Sequence, residues 1–489
     1  MKTLVKHIIT LALLLLLAGC SHAPQNVRQD NSIPKIFPDY VGVTIPAGIA
    51  PLNFNYDGPS ESIFVEARGS KGGSIEAEGD YADFDIDQWH ELTNLNKGGK
   101  IIFTVNVKQN GEWTRYKSFD VNVSADPIGE WGLTYRLVAP GYEVYGKMGL
   151  YQRELATFRQ QAIIENTSVP GACMNCHTPN RTNPDNFTFH VRGSNGGTII
   201  GGRDGFKILN AKNDSLKGSL VYPYWHPSGR FIAYSTNKTH QSFHAVRSER
   251  IEVFDQASDI LILNPTTNEI VLNPSVMTPE NYENYPVFSP DGRTLYFVAS
   301  VAWDIPANYK RIRYNLCKVG FDARTGRTIG QPDTIFNARL MEKSATHPRP
   351  SYDGRFIIFT MADYGVFPIW HNEADQWLFD IRTGKARPLT EINSRAADSF
   401  HNWSSNSRWL VFTSRRIDGY YTRLYLTHVN SDGTMSKPFL LPQKNPWEFY
   451  DRSLFSFNTP DFTSRPFNLK SRDFVRAIVS PERIETKIR

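Results

Sequence analysis

Residues 285–299 read YPVFSPDGRTLYFVA, and this stretch decides the fold. Tyr285 to Phe288 is a short apolar run, Ser289 to Arg293 is a turn carrying Gly292, and Thr294 to Ala299 has the alternation of a strand. Three other stretches align on it: YPYWHPSGRFIAYST (222–236), HPRPSYDGRFIIFTM (347–361) and FHNWSSNSRWLVFTS (400–414). The turn positions Gly229, Gly292, Gly354 and Ser407 recur about 50 to 60 residues apart. Repeats of that length made of short strands predict a β-propeller of four-stranded blades, and roughly 290 residues hold about six of them.

The composition agrees with a mostly β chain. Aromatic residues make up 13% of the 489, with 34 Gly and 30 Pro to punctuate the strands. Ser-Pro-Asp-Gly-Arg followed by apolar alternation, strongest at Ser289 to Arg293 and Ser351 to Arg355, resembles the TolB-like propeller repeat. The resemblance covers 186–489 and implies a docking platform for another protein. Its first and last blades match poorly, as a ring closed by both ends of the propeller would require.

Upstream, the reading changes. Residues 36–127 hold several short strand patterns and predict an immunoglobulin-like β-sandwich. Its clearest hairpin, KIIFTVNVKQNGEWTRYKSFDVNV (100–123), turns at Asn110-Gly111, a pair that tolerates positive φ. Residues 128–185 are expected to be a helical linker, because Tyr151, Leu155, Phe158 and Ala162 fall at helical spacing. Residues 21–35 are polar and read as a flexible tether. Residues 1–20 combine Lys2 and Lys6, an apolar run and Leu17-Ala18-Gly19-Cys20. That ending resembles the lipobox of bacterial lipoproteins, which implies a lipid anchor on Cys20 in the outer membrane, facing the periplasm. A formal net charge of +5 without any basic run gives no reason to expect nucleic acid as a partner.

Chemistry concentrates in GACMNCHTPN (171–180). Cys173-Met174-Asn175-Cys176-His177 matches C-x-x-C-H, the attachment sequence of a covalent c-type haem. Two thiols at that spacing reach the two vinyl groups, and the adjoining imidazole becomes the proximal iron ligand. Attachment occurs outside the cytoplasm, where Cys20 places the chain. His190 and then Met148 are the candidate distal ligands, and Arg192 and Arg203 are candidate partners for haem propionates. The arrangement resembles envelope lipoproteins that join a haem-attachment motif to a TolB-like propeller, which implies electron transfer or the sensing of a redox state or ligand rather than an enzyme.

Other readings remain open. Cys173 and Cys176 could form a disulfide in a non-haem scaffold. A thioredoxin-like pair lacks a βαβ context, and a zinc site lacks further ligands at suitable spacing. The repeat alignment makes Pro223, Pro286, Pro348 and His401 equivalent, with His347 and Phe400 one step earlier. His347 and His401, with His240 or His371, could therefore meet at the channel mouth and hold a metal, as in carbohydrate-active propeller enzymes. Cys317 is expected to be a buried free thiol. Neither G-x-S-x-G nor a P-loop nor H-E-x-x-H occurs.

Overall fold

The computed structural model describes residues 23–139, 146–202, 205–211, 216, 218–243 and 251–489. Cys20 with its leader, and Arg203, lie outside these residues. Among the described residues no helix is long and apolar enough to cross a membrane.

The expected mostly β fold with a six-bladed propeller is what forms. The inner strands of blades 2 to 6 are Cys173–Asn180, Ser219–Trp225, Asn281–Phe288, Ser344–Pro350 and Asp398–Trp403. Blade 1 takes Gly132–Val138, Gly149–Glu154 and Gln160–Glu165, and its inner strand Ser456–Thr463 arrives from the other end of the chain. That strand pairs antiparallel with Gly132–Val138, so hydrogen bonds close the ring. Two short C-terminal strands then pair parallel to outer strands: Ile484–Glu485 with Gly205–Asn210 of blade 2, and Lys487–Ile488 with Glu269–Leu272 of blade 3.

The repeated turn has a specific chemistry. In blade 4 the Ser289 hydroxyl donates to Asp291 Oδ1 at 2.6 Å and accepts from the Thr294 N–H at 3.0 Å. The Asp291 carboxylate also accepts from the Arg293 N–H at 3.1 Å. Blade 5 repeats this with Ser351 and Asp353, and blade 6 with Ser404 and Asn406. Gly292 sits between at φ +72°, a region that costs most other residues about 1–2 kcal/mol. Successive turns also interlock: a His226 ring nitrogen lies 3.0 Å from the Gly292 carbonyl of the next blade.

The N-terminal region is a β unit, and its predicted hairpin is present. Gly99–Gln109 and Glu112–Arg115 flank Asn110 and Gly111, at φ +51° and +78°. Its strands pair into one seven-stranded sheet beside a two-stranded ribbon, with the helix Ile86–Leu95 packed on it, rather than into two stacked sheets of similar size. Asp85 caps that helix by accepting from the Asp87 and Gln88 N–H groups. The core does not stop at the domain edge. Val65, Phe103 and Phe119 belong to the same buried cluster as Leu133, Trp409, Leu424 and Phe439 of the propeller.

Three expectations need correction. The described part of the expected tether is docked: Arg28 and Gln29 pair parallel with Thr114 and Arg115, and the Lys117 N–H donates to the Ser32 carbonyl at 3.0 Å. The stretch 150–164 is not a helix: Gly149–Glu154 and Gln160–Glu165 are antiparallel strands, with Leu150 opposite Ile164. The apolar spacing suited either period, and packing in the sheet decided it. A tight turn closes the hairpin, with Thr157 Oγ1 donating to Glu154 and the Glu154 N–H donating to the Arg159 carbonyl. Residues 128–185 are therefore no linker. The propeller starts at Gly132, and the cysteine pair lies on an inner strand of blade 2.

Candidate functional site

Every inner strand breaks its ladder at one equivalent place, and the blade 2 strand breaks again between Pro179 and Asn180. Register shifts occur between Asn175 and Thr178, Val221 and Tyr224, Asn284 and Val287, Thr346 and Arg349, and Ser399 and Asn402. In the sixth strand the shift falls opposite Thr459 and Pro460. At these bulges Cys176, Tyr222, Tyr285, His347, Phe400 and Thr459 all adopt φ between +44° and +52°. A left-handed non-glycine residue costs about 1–3 kcal/mol and needs a structural reason. Here the bulge turns one residue per blade into the central channel, where all six line a single cavity.

Four of the six form an aromatic wall. Ring centroids are 4.2 Å apart for Tyr222 and Tyr285, 4.1 Å for Tyr285 and His347, and 4.9 Å for His347 and Phe400. Cys176 and Thr459 complete the circle without a ring, so a thiol faces the wall across the channel. Arg136, Arg192 and Arg349 also line this cavity, which measures about 130 Å³. Beyond Arg136, Asn175 and Arg192 an outer cavity of about 230 Å³ adjoins it, lined by Met148, Cys173, Phe367 and Trp370.

A ribbon arches over the outer cavity. Strands Ile232–Phe243 and Ile251–Asn264 of blade 3 run beyond the blade, and Phe243, Ile251 and Val253 line that cavity opposite Ile369 and Trp370 of blade 5. A buried clasp ties the two sides. His371 Nε2 lies 3.6 Å from Glu252 Oε1, its Nδ1 lies 3.1 Å from Glu373 Oε1, and the Tyr364 hydroxyl donates to Glu252 Oε2 at 2.8 Å.

The predicted site residues fall as follows. Cys173 and Cys176 are both free thiols, not a disulfide. Burial pushes the Cys176 thiol up, against the nearby Arg192. His177 is buried, and burial pushes it down to about 4 although the Thr134 backbone opposes this, so it is neutral at pH 7. Besides that Thr134 contact, Asp461 Oδ2 lies 3.9 Å from its Nε2. Burial in turn pushes Asp461 up to about 7, against Arg349, Asn402 and Thr178. Met148 comes close to Cys173: Arg136 Nη2 is 3.4 Å from Met148 Sδ and 3.5 Å from Cys173 Sγ.

His190 does not join them. Its Nδ1 lies 3.1 Å from Thr198 Oγ1, and it lines a groove with Ser219 and Leu220 of the following blade, whereas His177 faces Asp461 of the preceding one. Burial pushes His190 down to about 3, helped by Arg192. Arg192 itself faces the channel.

His347 and His401 do meet in the channel, with His401 Nε2 2.8 Å from the His347 carbonyl. That nitrogen is occupied by the backbone, and no group of three or more His, Cys, Asp or Glu suited to a metal occurs among the described residues. His240 stays on the exposed ribbon and His371 in the clasp. Cys317 is a buried free thiol, raised to about 11 by burial. Sequence reasoning missed Arg136, Arg349, Tyr222 and Tyr285. The available signal was positional, since the residue before each equivalent proline is the one the bulge turns inward.

No known family profile matches the chain. A stretch of 179 residues, 36% of this chain, is 26% identical to dipeptidyl-peptidase 5 of Porphyromonas gingivalis. The match spans 21% of that protein, about a fifth of its length. Among solved structures, TolB from Acinetobacter baumannii superposes with a TM-score of 0.42 at 12% identity, over 75% of this chain and 80% of that one. An oligogalacturonate lyase in complex with manganese gives 0.36 at 12% identity, over 63% and 74%.

Proposed function

We propose that this chain is an exported, lipid-anchored protein of the bacterial envelope that carries one covalent c-type haem at the mouth of its propeller channel. It would pass single electrons, or sense a redox state or small ligand, with the propeller as the surface that meets an envelope partner. One observation carries the reading: two free thiols and a buried, neutral imidazole open on adjoining channel cavities. The residues present fit the group. The outer cavity has apolar and aromatic walls at Phe367, Ile369 and Trp370, and guanidinium groups at Arg136 and Arg192 that suit propionates.

Cys173 and Cys176 would add their S–H bonds across the vinyl groups, forming two thioethers with no leaving group. His177 would ligate through one of its ring nitrogens, neutral at pH 7. Met148, which lines the outer cavity with Cys173, would be the further residue available to hold the group, whereas His190 lines a different groove. When bound, the group would supply a one-electron couple whose potential a thioether ligand raises. The chain's own part is to bury the site, exclude water with the ribbon and hold His177 unprotonated.

Visible spectra of the oxidised and reduced protein, made alongside a c-type maturation system, test this. Sharp reduced bands and haem staining that survives denaturation are expected for wild type and should be lost in Cys176→Ala. A colourless wild type, from cells in which a control cytochrome matures, would sink the proposal.

A further inference from the structure

The inner cavity holds more unsatisfied chemistry than a tethered haem accounts for. Its volume, about 130 Å³, is close to the roughly 150 Å³ of an engineered apolar cavity that accepts one benzene molecule. One wall is the continuous row of Tyr222, Tyr285, His347 and Phe400, tilted or edge-on to one another. Three guanidinium groups, Arg136, Arg192 and Arg349, face the same space, and none forms an ion pair with a described carboxylate. A single carboxylate, Asp461, lines it with them. His347 is 5% exposed, and its Nδ1 lies 2.9 Å from the Thr346 hydroxyl, while its Nε2 has no partner. With Nδ1 accepting from Thr346, Nε2 carries the proton and presents a donor that nothing in the protein uses. Arg136 Nε is likewise buried and unpartnered. Buried donors without acceptors are rare and each calls for a physical account.

We infer that the inner channel binds a small monocyclic aromatic carboxylate, its ring on the wall of Tyr222, Tyr285, His347 and Phe400 and its carboxylate against Arg349 and the His347 Nε2–H. The excess of guanidinium groups selects an anion, and the planar fork of arginine suits a carboxylate. The aromatic wall selects a flat ring over an aliphatic chain. The inner volume suits one ring. The ribbon across the outer cavity would then cover the bound ligand.

Benzoate is the probe and benzamide its neutral isostere. The full mature chain, made without c-type maturation so that the channel is free, is titrated with each in a calorimeter. Benzoate should bind one to one, with benzamide at least tenfold weaker. Arg349→Gln should weaken benzoate at least tenfold, and His347→Phe, which keeps the wall but removes the donor, should weaken it several-fold with the melting temperature unchanged or raised. Absence of benzoate binding up to about 10 mM would overturn the inference. So would equal affinity for the two probes, or folded variants of both kinds that bind benzoate as wild type does. Benzoate binding by a chain that never acquires colour would leave this inference standing while the haem reading fell, and a haem-stained protein whose unloaded form ignores benzoate would do the reverse.

Discussion

The clasp at His371 makes the ribbon over the channel sensitive to alkaline pH. Burial alone would depress this imidazole, but hydrogen bonds and charge from Glu252 and Glu373 outweigh it and hold the group up to about 9. Glu373 is correspondingly held down to about 2, which is the same interaction seen from its partner and is not added again. Because the folded pKa lies above the unfolded one, the stabilisation is complete below about 6.5 and is lost as pH rises through about 9. At 1.36 kcal/mol per unit the full effect is about 3 kcal/mol, with about 2 kcal/mol left at pH 7.5 and under ~0.5 kcal/mol at pH 9. The Tyr364 hydroxyl donates to Glu252 within the clasp, and Lys310 lies 5.7 Å from the Tyr364 ring. Amide hydrogen exchange reads the opening directly. After correction for the intrinsic rate, Val253 and its partner Gln241 should lose about 100-fold of protection between pH 6.5 and 9 in wild type. In His371→Gln the same amides should start less protected and change little. Parallel pH profiles in wild type and mutant, or a wild-type profile no steeper than that of the blade 4 strand Thr294–Val301, would refute the reasoning.

Other outcomes follow from the turns, the buried arginine and the C-terminal strands. Gly292→Ala should cost roughly 3 kcal/mol, because it combines φ +72° with a Cβ 2.2 Å from the buried His226 ring. Gly354→Ala, at the same φ but with nothing nearer than 4.0 Å, should cost only about 1 kcal/mol, and urea midpoints that fail to separate the two would contradict this. Arg153 is 1% exposed and donates to Gln443 at 2.8 Å and to the Pro442 carbonyl at 2.5 Å, joining blade 1 to the C-terminal segment. Arg153→Ala should therefore lose about 3 kcal/mol in the same assay, and Arg153→Lys should not recover it, since one ammonium cannot span both acceptors. Removing residues 484–489 should raise hydrogen exchange in Gly205–Asn210 and Glu269–Leu272 more than in any other strand, because only those two strands lose a paired neighbour.

The same physics explains what the sequence made visible. A serine, an aspartate and a glycine in fixed order announce a turn whose hydrogen bonds require them, and four of the six blades carry that turn or a close variant. The other two are hidden for different reasons. Blade 2 joins its first strands by Arg181-Thr182, with Arg181 at φ +58° in place of the longer serine-aspartate-glycine turn, so aligning the repeats on glycine passes it by. Blade 1 is split, its inner strand Ser456–Thr463 lying more than 300 residues after the strand it pairs with, and no contiguous template survives. Aligned instead on the bulge, Cys176-His177 takes the place of Tyr222-Pro223, Tyr285-Pro286, His347-Pro348, Phe400-His401 and Thr459-Pro460. The pentapeptide that a motif search reads as an attachment site is thus also the blade 2 copy of the repeat. Its second cysteine faces the channel because a bulged inner strand turns that position inward in every blade, and an aromatic ring stands there in four of the other five. Local spacing announced two thiols and an imidazole, but only the ring closure and the six bulges put them opposite an aromatic wall and three guanidinium groups. That encounter arises between residues far apart in the chain, which is why motif spacing could not reveal it.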